Sequence, residues 1–543
     1  MFRTIQLRQT ATEQWPLALL IYFPFLVVTL AGSVLIPHWL EYSREAVAFF
    51  LLSSLVYGLV LILPTAARKG LLPFIMALLG SSAFIKISFY FLYQARFSSS
   101  ALFVIFETNS EEAADFLTAY WTWQLFLLVL VLYLPFVISL YIALSKKGFN
   151  RVRSALGKSL PVLHRGLILV LMVLSVWVIK KRYQNENVLI TSISAYKDFK
   201  EVRENLSNLL AKTHSNAFDQ VVSDPSPRTL VVVLGESSSS WHMQLYGYPR
   251  QTNPLLSQKK DLMVFNDVIT PHVHTLLALE KILTISNNDN EQPELNGSVV
   301  QLANAAGYKT FWISNQQPVG MHESISTIIA NAADEKHFES TNGYQYTVYD
   351  QALIDPIESA LSDEAHKKII FVHLIGTHAR YYKRYPKSFE IFNGKDFPGP
   401  FKSKEAIDEI NQYDNAMRYN DYVLDQIINL LSATIGPKSF LYLSDHGDEV
   451  YDTMEMAGHS EYWATSPMYE VPFLLWSPET QMELSWQQRP YLLDDFIHSF
   501  ADLAKIQFKG WDASKSIFGP SFQPKKRLIK DQEDYDLRPP KKY

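Results

Sequence analysis

Five apolar stretches fill the first third of the 543-residue chain: Trp15–Ile36, Ala46–Leu63, Leu71–Tyr93, Trp121–Leu144 and Gly166–Val178. A helix needs about 20 apolar residues to cross a bilayer. Within lipid, only a helix satisfies all of its own backbone polar groups in a single segment. The stretches recur with short polar spacers, which argues against buried helices of a soluble core. The first is too long for a secretory signal, and no small-x-small cleavage site follows it. Residues 1–182 are therefore expected to form a transmembrane domain of five helices.

Orientation follows from the cations in the short loops. Arg3 and Arg8, then Arg68 and Lys69, then Lys146, Lys147, Arg151, Arg153, Lys158 and Arg165 mark one shared, cytoplasmic side. The alternate loops, His38–Glu45 and Gln94–Tyr120, are poorer in cations. The fifth span therefore exits, and the rest of the chain is expected outside the cytoplasm. Residues 183–228 read as a polar linker with a helical stretch around Ala195–Leu210, closed by Asp224-Pro225-Ser226-Pro227. Leu206, Leu209 and Leu210 give that stretch one apolar face, which suits either a helix lying on the membrane or a plain tether.

Residues 229–543 alternate strand-like and helix-like segments. Thr229–Leu234, Lys309–Ile313, Lys368–Ile375, Ser439–Leu443 and Val471–Trp476 are continuous apolar runs, as buried strands of a largely parallel sheet are. Helical patterns such as Ala406–Leu431 lie between them, so the segment is expected to be one α/β domain. The tail after Gln523 is expected to be extended. The chain has no Cys, which excludes disulfides, thiolate metal sites and a cysteine nucleophile. A net charge of -5 gives no basic face for nucleic acid.

In open α/β sheets, ligands collect at the carboxyl ends of strands. The first strand ends in Gly235-Glu236-Ser237, the third in Gly376-Thr377-His378, and the fourth in Ser444-Asp445-His446-Gly447-Asp448-Glu449. Each delivers carboxylates or imidazoles, ligand types suited to Zn²⁺, to the same edge. Gly235-Glu236-Ser237-Ser238-Ser239 lacks the last Gly of a nucleophile elbow. Thr275 is the better nucleophile candidate, because Thr270-Pro271-His272-Val273-His274-Thr275 opens a helical segment, Leu276–Ile285. A helix N-terminus offers free N–H groups and positive potential to an alkoxide or phosphate. A simple capping Thr is the alternative. The loop Ala95–Tyr120 carries Glu107, Asn109, Glu111, Glu112 and Asp115; it reads either as a solvated acidic loop or as a holder for a lipid headgroup.

These residues, with Leu245-Tyr246-Gly247-Tyr248-Pro249-Arg250-Gln251-Thr252-Asn253-Pro254 and His373-Leu374-Ile375-Gly376-Thr377-His378, resemble the phosphoethanolamine transferases of Gram-negative inner membranes. Those enzymes belong to the alkaline phosphatase/sulfatase-like superfamily and include the polymyxin (colistin) resistance transferases that modify lipid A. Tyr308–Gln317 and Val471–Trp476 are closest to the subgroup that decorates the lipopolysaccharide core. The resemblance implies an inner-membrane enzyme with a periplasmic catalytic domain. It implies one zinc held by Glu236, Thr275, Asp445 and His446, with His378 and His459 at the substrate phosphate or a second zinc and acting as acid or base. It implies headgroup binding by Asn109 and Glu112, phosphatidylethanolamine as donor and lipopolysaccharide (core heptose or lipid A) as acceptor. The expected protein is a monomer among membrane lipids. Ser237 departs from the Thr of many members.

Rival readings remain at this point. A sulfatase needs a modified Cys or Ser in a Cys/Ser-x-Pro-x-Arg setting; Ser223–Arg228 misplaces the Arg by one. A phosphoglycerol transferase shares the architecture and the Thr nucleophile. A non-catalytic membrane protein would have no use for Glu236, Thr275, Asp445 and His446 together.

Overall fold

A computed structural model describes residues 2–36, 38–93, 96–97, 102, 121–145, 147–157, 161–197, 200, 218–287, 297–316, 325–339, 348–394, 399–461, 463–480 and 482–538. The chain divides into two compact units, Met1–Phe199 and Lys200–Tyr543.

The first unit is helical: α1 (Phe2–Leu35), α2 (Trp39–Ile62), α3 (Thr65–Tyr93), α4 (Trp123–Leu144), α5 (Asn150–Gly157) and α6 (Val162–Arg182). Among the described residues, five segments are long and apolar enough to cross a membrane: Gln14–Leu35, Trp39–Ile62, Thr65–Leu92, Trp123–Leu144 and Val162–Arg182. Each coincides with a stretch read from the sequence. Leu167, Val170, Leu171 and Val173 of α6 are exposed, as the lipid-facing side of a spanning helix is. Hydroxyl pairs bridge helices, Tyr22 to Ser54 at 2.8 Å and Ser81 to Tyr133 at 2.7 Å.

Two buried cations described in this unit are held by partners, one by a carboxylate and one by backbone carbonyls. Lys86 and Glu45 form a buried ion pair, and Lys86 Nζ also donates to the Glu186 carbonyl at 2.6 Å. Arg68, which counts towards the cytoplasmic charge bias, is buried. Its Nε and Nη2 donate to the carbonyls of Leu63 and Leu61 at 2.8 and 2.6 Å, satisfying the C-terminal turn of α2. In the linker, Leu206, Leu209 and Leu210 lie outside the described residues.

The second unit is built on a seven-stranded sheet. Its strands are β1 (Arg228–Gly235), β2 (Leu262–Val264), β3 (Lys309–Ser314), β4 (Glu335–Phe338), β5 (Lys367–His373), β6 (Lys438–Ser444) and β7 (Phe473–Trp476). Their order is β2-β7-β6-β1-β5-β3-β4. The run from β6 to β4 is parallel, and β7 is antiparallel to both neighbours. The sheet is thus largely parallel, as expected, with one reversed strand near its edge. The five apolar runs became its core strands because both faces are covered: Val231, Val232, Val233, Ile370, Phe371 and Leu441 are fully buried. Edge strand β4, Glu335-Lys336-His337-Phe338, lacks such a run. The helix α7 (Thr275–Leu283) carries the candidate Thr, and the long helix α8 (Lys404–Ser432) packs on the sheet.

The tail departs from expectation. Arg527, Ile529 and Tyr535 are buried, and Leu528–Ile529 pairs with Glu533–Asp534. Its few apolar and aromatic residues fold back on the domain despite the Lys/Asp/Pro-rich composition.

Candidate active site

Strand register brings the chemistry together. Gly235 lies level with Ser444, Leu234 with His373, and Ser314 with His373. The next residues along each strand, Glu236, Asp445 and Gln316 among them, leave the sheet at one edge. The chain turns sharply after Glu236, with Ser237 at φ 56°. Gly376, at φ +54°, lies against this turn: a Cβ there would sit 2.8 Å from the Glu236 nitrogen and 2.7 Å from its carbonyl oxygen. Only glycine fits, both sterically and conformationally.

Glu236, Asp445 and His446 are fully buried. Their ligand atoms all lie within 4.8 Å of one another. Asp445 Oδ1 accepts the backbone N–H groups of His446 and Ser237 at 2.7 and 3.2 Å. Its Oδ2 is buried and receives no hydrogen bond; His446 Nε2 lies 3.5 Å from it. Glu236 Oε1 accepts the Ser237 hydroxyl at 2.8 Å. His446 Nδ1 lies 3.0 Å from the Gly447 carbonyl. A carbonyl only accepts, so Nδ1 carries a proton, and the ring in its neutral form, the form that ligates a metal, would present the Nε2 lone pair. That nitrogen sits 3.4 Å from Glu236 Oε1.

Thr275 is the first residue of α7, with His274 as its N-cap. Its hydroxyl lies 3.2 Å from His446 Nε2 and 3.4 and 3.5 Å from the Glu236 oxygens. The four ligand-type residues named from the sequence therefore converge on one point.

Electrostatics mark this point as short of positive charge. Burial and the Glu236 charge push Asp445 up to about 8. Burial disfavours a charged His446, but the Asp445 and Glu236 charges outweigh it and raise it to about 10. Burial would raise Glu236, yet the His446 hydrogen bond and charge hold it well below the carboxylate range. Two carboxylates, a bare imidazole nitrogen and a hydroxyl, with one carboxylate oxygen undonated, fit a divalent cation of the zinc type.

His459 and His378 are half-buried beside this cluster. The His459 ring centroid is 4.1 Å from that of His446, and its Nδ1 lies 2.7 Å from Asp448 Oδ1. Asp448 Oδ2 accepts the Tyr381 hydroxyl at 2.7 Å. His446, Asp448 and His459 form a second group of metal-ligand type. The His378 charge helps to depress Glu236. Asn109 and Glu112 lie outside the described residues.

Several supports had no part in the site assigned from the sequence, though Gln316 lies in the stretch Tyr308–Gln317. Gln316 Nε2 donates to Leu374 O at 3.0 Å and approaches Glu236 Oε2 at 3.4 Å. Asp350 accepts the N–H groups of Ile375 and Gly376 at 2.9 and 3.0 Å, holding the Gly376 turn. The Gly-Tyr-x-Arg motif is a buttress: the Asp414 carboxylate of α8 accepts Tyr248, Arg250 and His242 at 2.8, 2.7 and 2.6 Å. Tyr413 accepts Ser239 N–H at 2.8 Å and donates to Ser237 O at 2.7 Å. The motif itself was the available signal for this buttress; Asp414 and Tyr413 had none beyond a place on a helical pattern.

A parallel-cored sheet with carboxylates, imidazoles and a helix-start Thr at its strand ends defines a sulfatase-class catalytic domain, and the sulfatase family model matches residues 228–506. Phosphoethanolamine transferase EptC of Escherichia coli (strain K12) is 32% identical over 539 residues, covering 90% of each chain. Phosphoethanolamine transferase CptA of Salmonella typhimurium is 34% identical over 529 residues, again covering 90% of each. The crystallised C-terminal periplasmic domain of Escherichia coli EptC, in complex with Zn, superposes with a TM-score of 0.57 at 35% identity, covering 59% of this chain and 97% of that one. The integral membrane lipooligosaccharide phosphoethanolamine transferase A of Neisseria meningitidis shares the fold, with a TM-score of 0.65 at 18% identity, over 92% of this chain and 97% of its own. The chain belongs to the phosphoethanolamine transferase family, and its five membrane-length helices make it a multi-pass member.

Proposed function

We propose that this protein transfers phosphoethanolamine from phosphatidylethanolamine to a lipopolysaccharide acceptor, core heptose or lipid A, through a covalent phosphothreonine at Thr275. One observation carries the reading: the Thr275 hydroxyl lies 3.2 Å from His446 Nε2 and 3.4 Å from Glu236, at a helix start. Glu236, Asp445 and His446 would hold Zn²⁺ with the Thr275 oxygen, and the EptC domain's Zn complex supports that metal. Zinc supplies positive charge that lowers the pKa of a bound hydroxyl and offsets charge on a transferring phosphoryl group.

The protein's own part is positioning and proton handling. Thr275 Oγ1, its hydroxyl proton released to solvent, attacks the donor phosphorus, the bond to the diacylglycerol oxygen breaks, and that oxygen takes a proton. The acceptor oxygen then gives up its proton and displaces Thr275 from the phosphorus. Asp448 holds His459 by Nδ1, which leaves Nε2 to give the first proton and take the second; His378 is the second candidate for that work. N–H groups at the start of α7 face the transferring phosphate. Double displacement predicts ping-pong kinetics. Both substrates are lipids, which accounts for a catalytic domain tethered to the bilayer, on the periplasmic side of the inner membrane. Asn109 and Glu112 are proposed to bind the ethanolamine headgroup.

The test is incubation of full-length protein with labelled phosphatidylethanolamine and intact-mass measurement. Wild type should carry phosphoethanolamine on Thr275, while Thr275→Ala should carry none and release no diacylglycerol. Diacylglycerol release by Thr275→Ala at the wild-type rate would rule the nucleophile out.

A further inference from the structure

The loop that presents Thr275 is gripped from outside the metal-type cluster. Glu461 is buried, and its Oε1 accepts the Val273 N–H at 2.9 Å and the His272 Nδ1 proton at 3.1 Å. These donors stand two and three positions before Thr275. The Glu461 carbonyl accepts Lys530 Nζ, and the Lys530 N–H reaches the Pro271 carbonyl at 3.3 Å. Lys530 thus ties both Glu461 and the loop to the C-terminal segment. That segment is itself fixed: Arg527 pairs with Asp267, and Tyr535 donates to Glu470 at 2.7 Å. Apolar packing of Val273 with Ile269, Met468, Leu492 and Ile529 completes the grip.

Stability alone accounts poorly for Glu461. Burying a carboxylate is costly unless both oxygens are satisfied, and Glu461 Oε2 is buried with no donor. What the side chain does supply is a single acceptor point shared by two consecutive residues of the loop. That fixes where α7 begins, and hence where the Thr275 hydroxyl sits.

We propose that Glu461, locked through Lys530 to the C-terminal segment, is a positioning residue that sets the Thr275 hydroxyl against Glu236 and His446. The inference rests on Thr275 being the nucleophile, and it assigns a function to the tail. It is the reach of the acceptor, rather than its charge, that matters.

Two variants separate reach from charge in full-length protein in detergent, with fluorescent phosphatidylethanolamine as donor. Glu461→Asp keeps the charge but withdraws the acceptor by one methylene. It should lower kcat on the order of 10–100-fold, with KM within about twofold and bound metal unchanged. Glu461→Gln keeps the reach and should restore kcat to within about threefold of wild type. Wild-type kcat in Glu461→Asp, or equal loss in both variants, overturns the proposal. So does a loss of kcat matched by loss of bound metal, which marks a general structural role. Thr275→Ala, run in parallel, keeps the two readings apart. If it still turns over donor, the nucleophile reading fails. If it is dead while Glu461→Asp is fully active, only the positioning inference fails.

Discussion

His459 Nδ1 lies 2.7 Å from Asp448 Oδ1, so a carboxylate fixes which nitrogen of this imidazole is free to exchange protons. The Tyr381 hydroxyl holds the other oxygen of Asp448 at 2.7 Å. Asp448→Asn keeps the shape but offers an amide that can donate, and it favours the other tautomer. Supporting groups of this kind typically contribute about 10–100-fold, and kcat for phosphoethanolamine transfer should fall by that order. Wild-type kcat in Asp448→Asn would remove the Asp448–His459 pair from proton transfer.

Charge crowding predicts how metal removal couples to pH. Asp445 is raised to about 8 by burial and by Glu236, and His446 is raised to about 10 by Asp445 and Glu236 against the pull of burial. In the metal-free protein both groups bind protons more tightly folded than unfolded. Their stabilisation is therefore present at acid pH and lost as pH climbs, Asp445's up to about 8 and His446's up to about 10. Glu236, depressed chiefly by His446 despite its burial, acts oppositely and is lost only at acid pH. With a chelator present, Tm should fall between about pH 7 and about pH 10, and added zinc should flatten that fall. Melting curves that keep the same slope with and without zinc would contradict the ligand set.

Gly376 is the steric keystone of the Glu236 turn. An alanine there meets the Glu236 backbone at 2.7–2.8 Å and must hold φ +54°. Gly376→Ala should cost about 1–3 kcal/mol of stability. It should also lower bound zinc by displacing a ligand. Thermal melts with elemental analysis read both, and wild-type zinc content in the variant would sink the second expectation.

In the membrane-spanning unit, the buried Lys86–Glu45 pair should behave as a unit. Lys86→Met strands a buried carboxylate and should cost about 3–5 kcal/mol, whereas Lys86→Met with Glu45→Gln should recover most of that loss. Thermal stability of wild type, Lys86→Met, Glu45→Gln and the double variant in one detergent checks it. Additive losses would mean that the two residues are uncoupled.

The legible part of the molecule was local. Five spans and five core strands announce themselves as uninterrupted apolar runs, because an element buried on all sides or in lipid has no polar face to write into its sequence. The strand-end motifs were legible for a related reason. A parallel sheet delivers the residues after each strand to one edge, so Glu236, Asp445 and His446 could be placed together before any distance was known. Thr275 was legible from the helical pattern Leu276–Ile285 that follows it, although the helix itself begins at Thr275 and His274 is its N-cap.

The rest depended on approach between distant segments. Glu461 and Lys530 meet the Thr275 loop from 188 or more residues away, Asp414 meets the Gly-Tyr-x-Arg turn, and Arg68, read from the sequence only as a mark of the cytoplasmic side, turns inward to cap α2. A polar side chain carries no mark of its partner, since its worth is set by burial and by which acceptor lies within hydrogen-bond reach. Those quantities exist only once the chain has closed on itself. The sequence by itself thus determined the elements, the membrane spans and the chemical classes at the strand ends. Only the tertiary structure decided which polar groups hold one another, and so how the Thr275 hydroxyl is aimed.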